Sequence, residues 1–385
     1  MNLGLGSSVY PAAKMVSARL EKYFSSHFSQ LPVRNNGEFA SVPDVLTIEK
    51  MIDTAFWASL QREEGYAPKI SLAYLPSEQA GQPMMFEESL PLDSHALIKL
   101  SPAVERPSIY LGVWRDASNQ LSVWGATRTV PQNCFVLEVV EPGLLVVKHR
   151  TKTGQGKFAN VLILSGEQIK EIDEKGTSLA DCPDILASML RFGSSDSSDD
   201  SVGVLIQLAV SMREHKRGGS LLIVPQKSET WRESIVLPAR YSVTPSYTGL
   251  ADLIRRPPGS ERDERLHQEM LFDAVEAIAG LTAVDGATVI SDEFELRAFG
   301  AKIKRRDAAP QVEQTIITEP IIGNRASVVH PLQFGGTRHL SAAHFVQDQP
   351  DSVALVSSQD GRFTVFAWSP CEAMVHAHRI ESLLL

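Results

Sequence analysis

The stretch Lys216-Arg217-Gly218-Gly219-Ser220-Leu221-Leu222-Ile223-Val224-Pro225 decides the fold of the second half of the chain. A basic-Gly-Gly turn leads into four apolar residues with no polar alternation. Pro225 stops the run, because it has no N–H to give to a ladder. A strand without a polar side is buried on both faces, as in a sheet covered by helices. Just upstream, Val204, Leu205, Leu208, Ala209 and Met212 fall at helical spacing within Val202 to Met212. Helix, tight turn and buried strand predict a layered unit.

Toward the C-terminus the same alternation continues. A helix is expected from about Leu266 to Ala279. It leads to Asp285-Gly286-Ala287, which opens a strand through Thr288-Val289-Ile290. A second strand, Glu295 to Ile303, runs out into Lys302, Lys304, Arg305 and Arg306, a run that reads as a solvated edge rather than a nucleotide clamp. Gly335-Gly336-Thr337-Arg338-His339 precedes a helical stretch with Ala342, Ala343 and Val346, and Thr337 is its expected N-cap. Val353 to Ser357, the turn Ser358-Gln359-Asp360-Gly361-Arg362 and Phe363 to Phe366 read as a hairpin. Residues 245 to 270, with Arg255-Arg256-Pro257-Pro258-Gly259, read as a surface insertion.

Toward the N-terminus the reading is α+β. A helix is expected over Pro11 to Phe28, with Met15, Ala18, Leu20, Tyr23 and Phe24 as its stripe. A second is expected over Thr47 to Glu64, ended by Gly65. Short strands follow at Ile70 to Leu75, Ala96 to Leu100, Ser108 to Val113, Gln120 to Trp124, Cys134 to Val139 and Leu144 to Lys148. They make a mostly antiparallel sheet ending near Gly166, with a hairpin at Asp116-Ala117-Ser118-Asn119. Trp57, Trp114 and Trp124 read as core rather than as a ligand cleft. The acidic stretch from Gly193 to Asp200 marks a linker. The expected organisation is therefore 1–192, a linker at 193–201, and 202–385. The fold class is α+β / α/β, the second domain being a mixed sheet flanked by helices.

The formal charge of -9 argues against general nucleic-acid binding, which needs a basic face, but leaves room for a small phosphate pocket. No apolar run approaches the roughly 20 residues of a membrane span, and Met1 to Tyr10 lacks the features of a signal peptide. Three widely spaced cysteines, Cys134, Cys182 and Cys371, fit reduced thiols, so the expected compartment is the cytoplasm. There is no phosphate loop of the Gly-x-x-x-x-Gly-Lys type, no Gly-x-Gly-x-x-Gly after a strand, no His-Glu-x-x-His and no Gly-x-Ser-x-Gly. His344, His376 and His378 show no metal-ligand spacing.

Two motifs remain. A carboxylate such as Asp285 at a strand start can hold a divalent cation or a sugar hydroxyl, and Gly286 lets a ligand approach the backbone. Alone, Asp-Gly is more often a plain turn. The amides that open the helix at Thr337 can bind an anion, with Arg338 and His339 as further donors. Ser357, at its strand end, can donate to a phosphate or simply finish the ladder.

In this order and context, Val202 to Trp368 resembles the diadenylate cyclase domain of bacterial cyclic di-AMP synthases. The N-terminal part, with Ser59-Leu60-Gln61-Arg62-Glu63-Glu64-Gly65, resembles the probable sensor domains fused to such cyclases. The resemblance implies two ATP molecules, held by two domains face to face, joined into cyclic di-AMP with release of pyrophosphate. Mg²⁺ or Mn²⁺ is the implied cofactor and a homo-oligomer, at least dimeric when active, the implied assembly; the ligand of the N-terminal domain is unknown. By that resemblance Asp285 binds the metal and helps activate a ribose hydroxyl, and Gly286 and Ala287 contact the nucleotide. Gly336, Thr337, Arg338 and His339 grip phosphates, His339 also touches the metal, and Ser357 completes the phosphate shell. The chain departs from the family at Leu340, where a second Arg belongs, and at Ser358-Gln359, where two Glu belong. Asp360, one position on, is the nearest carboxylate to stand in. These departures leave a catalytically weak or inactive nucleotide-binding sensor as the alternative.

Overall fold

Asp44 opens the helix that begins at Val45 by accepting a hydrogen bond from the Thr47 amide at 2.7 Å, satisfying one of the donors a helix start leaves free. The computed structural model describes residues 9–29, 40–105, 108–150, 158–173, 200–256, 261–307 and 309–385. The chain divides into two units, Met1–Ile172 with Leu385, and Asp173–Leu384. The expected linker at 193–201 lies almost wholly outside the described residues.

In the first unit, α1 (Pro11–Ser29) and α2 (Val45–Ser59) pack on a sheet. The face α1 buries is Ala13, Val16, Leu20 and Phe24, while Met15 is exposed. The expected stripe was therefore off by about a third of a turn at its start. α2 ends at Ser59 rather than near Gly65, because the Ser59 hydroxyl donates to the Phe56 carbonyl at 2.6 Å and accepts the Gly143 amide at 3.0 Å. The strands are β1 (Ile70–Tyr74), β2 (Met84–Pro91), β3 (Tyr110–Arg115), β4 (Leu121–Thr127), β5 (Phe135–Glu141), β6 (Leu144–Arg150), β7 (Phe158–Ser165) and β8 (Gln168–Glu171). Their order is β2-β4-β3-β1-β5-β6-β7-β8; β1 and β3 run parallel and the other pairs antiparallel. The residues read as a strand at Ala96 to Leu100 lie instead in α3 (Ser94–Val104). Asp93 caps that helix by accepting from the Ala96 amide at 2.8 Å, and Leu97, Ile98, Ser101 and Val104 bury one helical face. The hairpin between β3 and β4 turns at Asp116, whose carboxylate accepts from the Ser118 and Gln120 amides. Trp124 is buried and donates its ring N–H to the Leu75 carbonyl at 2.9 Å, a core role.

The second unit contains α4 (Asp200–Glu214), β9 (Gly219–Val224), β10 (Tyr241–Tyr247), α5 (Gly249–Arg255), α6 (Glu261–Leu281), β11 (Ala287–Ser291) and β12 (Leu296–Ala301). β13 (Thr315–Thr318), β14 (Ser327–Val329), α7 (Thr337–Asp348), β15 (Val353–Ser357), β16 (Phe363–Ser369) and β17 (Met374–Arg379) complete it. The nine strands are ordered β10-β12-β11-β9-β15-β16-β17-β13-β14, with β9 parallel to β11 and antiparallel to β15. The protein is thus α+β, with two mixed sheets flanked by helices. The apolar run of β9 divides as its composition demands. Leu221 and Ile223 join a core with α4, α5 and α6, while Leu222 and Val224 join a second core with α7 and Trp231. Each such buried aliphatic side chain contributes about 1.5–3 kcal/mol relative to exposure. The supposed insertion at 245–270 holds the end of β10, all of α5 and the first turns of α6.

Candidate functional site

The ends of four neighbouring strands and the start of one helix meet at a single cavity of about 670 Å³. Ser220 enters from the start of β9. Asp285, Gly286 and Ala287 come from the start of β11, and Ala301, Lys302 and Ile303 from the end of β12. Gly336, Thr337, Arg338, His339 and Ser341 come from α7, and Ser358, Gln359 and Asp360 from the turn after β15. Register explains the meeting of the strands: Ala287 pairs with Ser220 and Ser357 with Gly219, so the start of β9, the start of β11 and the end of β15 lie at one end of the sheet. The volume suits a small molecule, since ligand sites run about 300–1,000 Å³.

Gly336, not Thr337, is the N-cap of α7, and no side chain caps the helix. Its carbonyl accepts from the His339 amide at 3.0 Å and the Leu340 amide at 3.3 Å. The amides of Thr337 and Arg338 thus open on the cavity as donors, where the helix dipole favours an anion. An alanine methyl at Gly336 would meet nothing within 4 Å, so the residue that leads into those amides borders open space. The Arg338 guanidinium lies over Gly218, with Nη1 3.1 Å from where a methyl there would stand.

Asp285 is exposed, and its carboxylate is 3.4 Å from the Lys302 ammonium. Gly286 has φ +115°, and a methyl on it would lie 2.5 Å from the Gly300 carbonyl carbon. What approaches this glycine so closely is the β12 backbone, so its role begins with strand packing. The turn that carries Asp360 is pinned from two sides. Arg213 donates to the Gly361 carbonyl at 3.0 Å, and Ser358 donates its amide to Arg362 at 2.9 Å. Asp360 itself pairs with Arg362 at 3.3 Å.

His339 stands in the cavity wall rather than in its space. Its ring is buried edge-on to Phe334 and Phe366, with Nε2 3.4 Å from the Thr364 hydroxyl oxygen. Burial pushes its imidazole down to about 4, so the ring is uncharged near pH 7. Any help it gives a phosphate is that of a neutral group. Ser357 is not among the residues lining the cavity, and its buried hydroxyl has no hydrogen-bond partner among the described residues. Lys302, read from sequence as part of a solvated edge, is a wall residue instead. The only sequence signal for that was its place one step past a strand beginning to pair with the Asp-Gly-Ala strand.

Among the described residues, no group of three or more His, Cys, Asp or Glu is arranged to hold a metal ion. The donor chemistry fits a hard cation that arrives with its ligand. Mg²⁺ is usually held by one or two carboxylates together with substrate phosphates and water, and Asp285 is an exposed carboxylate on the cavity. Asp360 is a second carboxylate lining the same cavity. No helix of the described residues is long and apolar enough to cross a membrane.

Residues 37–128, about a quarter of the chain, match the family described as "Probable sensor domain DACNV". The chain is also similar to a solved structure of a cysteine double mutant of DacA from Staphylococcus aureus. The two share 13% identity at a TM-score of 0.25, over 48% of this chain and 89% of that one. No curated protein matches.

Proposed function

We propose that the second unit is a diadenylate cyclase domain, joining two ATP into cyclic di-AMP, and that the first unit is a sensor that tunes it. The observation that carries the reading is the convergence of Asp285-Gly286-Ala287 and Gly336-Thr337-Arg338-His339 on one cavity beside an uncapped helix start. Singly, each motif is explained by a turn or a helix cap; together they form a site with anion donors on one side and a carboxylate on the other. The match of residues 37–128 to a family of probable sensor domains supports the division of labour.

In this reading the Thr337 and Arg338 amides and the Arg338 guanidinium hold the triphosphate. Asp285 lies at the ribose 3′-hydroxyl and draws its proton. The oxygen then bonds to the α-phosphorus of the second ATP, held by a second copy of the chain, and the Pα–O–Pβ bond breaks with its electron pair leaving on pyrophosphate. Two such steps form two 3′-O–P bonds and release two pyrophosphates and two protons. Mg²⁺ or Mn²⁺, when bound with the nucleotide, supplies charge neutralisation on the phosphates. Positioning and electrostatics account for the acceleration, as in phosphoryl transfer generally.

The test is incubation of the purified chain with ATP and Mg²⁺ or Mn²⁺, with product identified by mass spectrometry. Cyclic di-AMP is expected, and Asp285→Asn should reduce it by about 10²–10³-fold or more. A second reading rests on Ser358 and Gln359, which bring no charge to the wall where Asp360 alone does. It makes the unit a nucleotide sensor without turnover. Tight ATP binding with no product under either metal would select it.

A further inference from the structure

The cavity is lined by two cationic side chains, Arg338 and Lys302, and they enter it from different elements, the start of α7 and the end of β12. Arg338 lies against Gly218, where β9 begins. Lys302 follows the last residue of β12, on the far side of β11. β12 and the strand end at Ser357 are three strand spacings apart, about 14 Å, so two long side chains reaching inward bracket the centre of the site. The backbone from Lys302 to Lys304 is fixed against residues 234–236. The Lys302 carbonyl accepts the Val236 amide at 2.8 Å, Ile303 bridges to Ile235, and the Lys304 amide donates to Ser234 at 2.9 Å. This lysine is therefore delivered to the wall by the fold and is not a stray of the basic run that follows.

Without ligand, its ammonium rests 3.4 Å from Asp285, with 64% of the lysine side chain and 81% of the aspartate side chain exposed. Pairs so open to water are weak. A triphosphate offers the ammonium several charged oxygens in place of one carboxylate, and charge-assisted bonds to phosphate are among the stronger ones. The remaining charges on the wall do not compete for it: Asp360 has Arg362, and His339 is neutral near pH 7.

We propose that Lys302 is the second phosphate-binding cation of this site, parked on Asp285 until a nucleotide arrives. The inference rests on the nucleotide reading above and adds an exchange to it. When the ammonium swings to the phosphates, the Asp285 carboxylate is released for the cation that accompanies them. Triphosphate binding and cation binding are thereby coupled through one side chain.

Calorimetry on the full chain, with ATP and adenosine as probes in Mg²⁺, tests this with Lys302→Met and Lys302→Arg. Lys302→Met should weaken ATP by about tenfold or more and leave adenosine within about twofold, and Lys302→Arg should restore most of the loss. Titration of Mn²⁺ without nucleotide supplies an independent readout. Lys302→Met should bind it more tightly than wild type, because Asp285 has lost its resident cation. Equal weakening of ATP and adenosine would show a merely structural lysine and overturn the proposal, as would unchanged ATP affinity in Lys302→Met. Wild-type protein that binds no ATP at all sinks the nucleotide reading itself, a result distinct from a wild type that binds and a variant that binds as well.

Discussion

Replacing Gly335 with alanine would set a methyl 2.1 Å from Cγ and 2.4 Å from Nδ1 of the His339 ring, against 3.4 Å for ordinary contact. The ring would have to retreat by more than an ångström. It has nowhere to go: Phe334 and Phe366 stand edge-on at 5.8 and 5.9 Å between centroids, and Thr364 lies 3.4 Å from Nε2. Overpacking of this kind costs about 1–3 kcal/mol. His339→Ala removes the ring and leaves a void, at about 2–4 kcal/mol. In the double variant the methyl enters the void, so the two costs should not add. A shortfall of about 1–3 kcal/mol from the sum is expected. The assay is denaturant unfolding of wild type, both single variants and the double, following the transition of the second unit. Additivity within about 0.5 kcal/mol would refute the claim that Gly335 is small to seat His339. Gly335→Ala should also weaken ATP, since Arg338 is the residue next to the displaced ring.

Acid should loosen the second unit as pH falls below about 6.5. Burial lowers His339 to about 4 and His378 to about 3, from an ordinary value of 6.5. The unfolded chain therefore takes up protons first. The contribution of both groups is full above pH 6.5 and is lost as pH falls from there through the two folded values. At about 1.4 kcal/mol per pH unit per group, the loss between pH 6.5 and 5 is on the order of 4 kcal/mol. Denaturant unfolding at the two pH values measures it, His378→Gln should remove about half, and an unchanged free energy would contradict the burial argument. Gly286→Ala and Gly336→Ala should separate cleanly. The first adds a methyl 2.5 Å from backbone at φ +115° and should cost about 1–3 kcal/mol or more, while the second meets nothing within 4 Å and should cost under about 1 kcal/mol yet weaken ATP. Thermal melts with and without ATP decide it, and a Gly336→Ala protein that binds ATP as wild type would remove the helix start from the site.

β9 was legible because four consecutive apolar residues admit no solvent face, and its side chains do divide between two cores. The hairpin at Asp116 was legible because its turn chemistry is local. α3 was misread as a strand because five apolar-rich residues carry no period of their own; the signal that mattered was Asp93, three residues before an amide it could accept. The helix expected from Leu266 is present, but its first turn, Glu261 to Arg265, passed for insertion because all five residues are charged and trace no apolar stripe. β2 was missed for the related reason that its residues are almost all exposed, as suits a sheet edge. In the site, the residues of the two motifs could be named from sequence because each sits at an element boundary. Lys302 could not, since its place on the wall depends on β12 pairing with β11. The seating of His339 by Gly335, and the closeness of Gly286 to Gly300, are likewise facts of packing that spacing along the chain does not carry.

The walls of the cavity come from residues 220, 285–287, 301–303, 336–339, 341 and 358–360. β9, at the middle of the sheet, is made early along this unit and completes its ladders only when β11 and β15 have followed it. Pairings so distant in sequence form late and slowly. The pocket therefore exists only once these distant strands have paired. A ligand that recognises it has nothing to hold in the folding chain and everything to lose in the unfolding one. It should prolong the lifetime of the native unit while leaving the rate of its formation almost untouched.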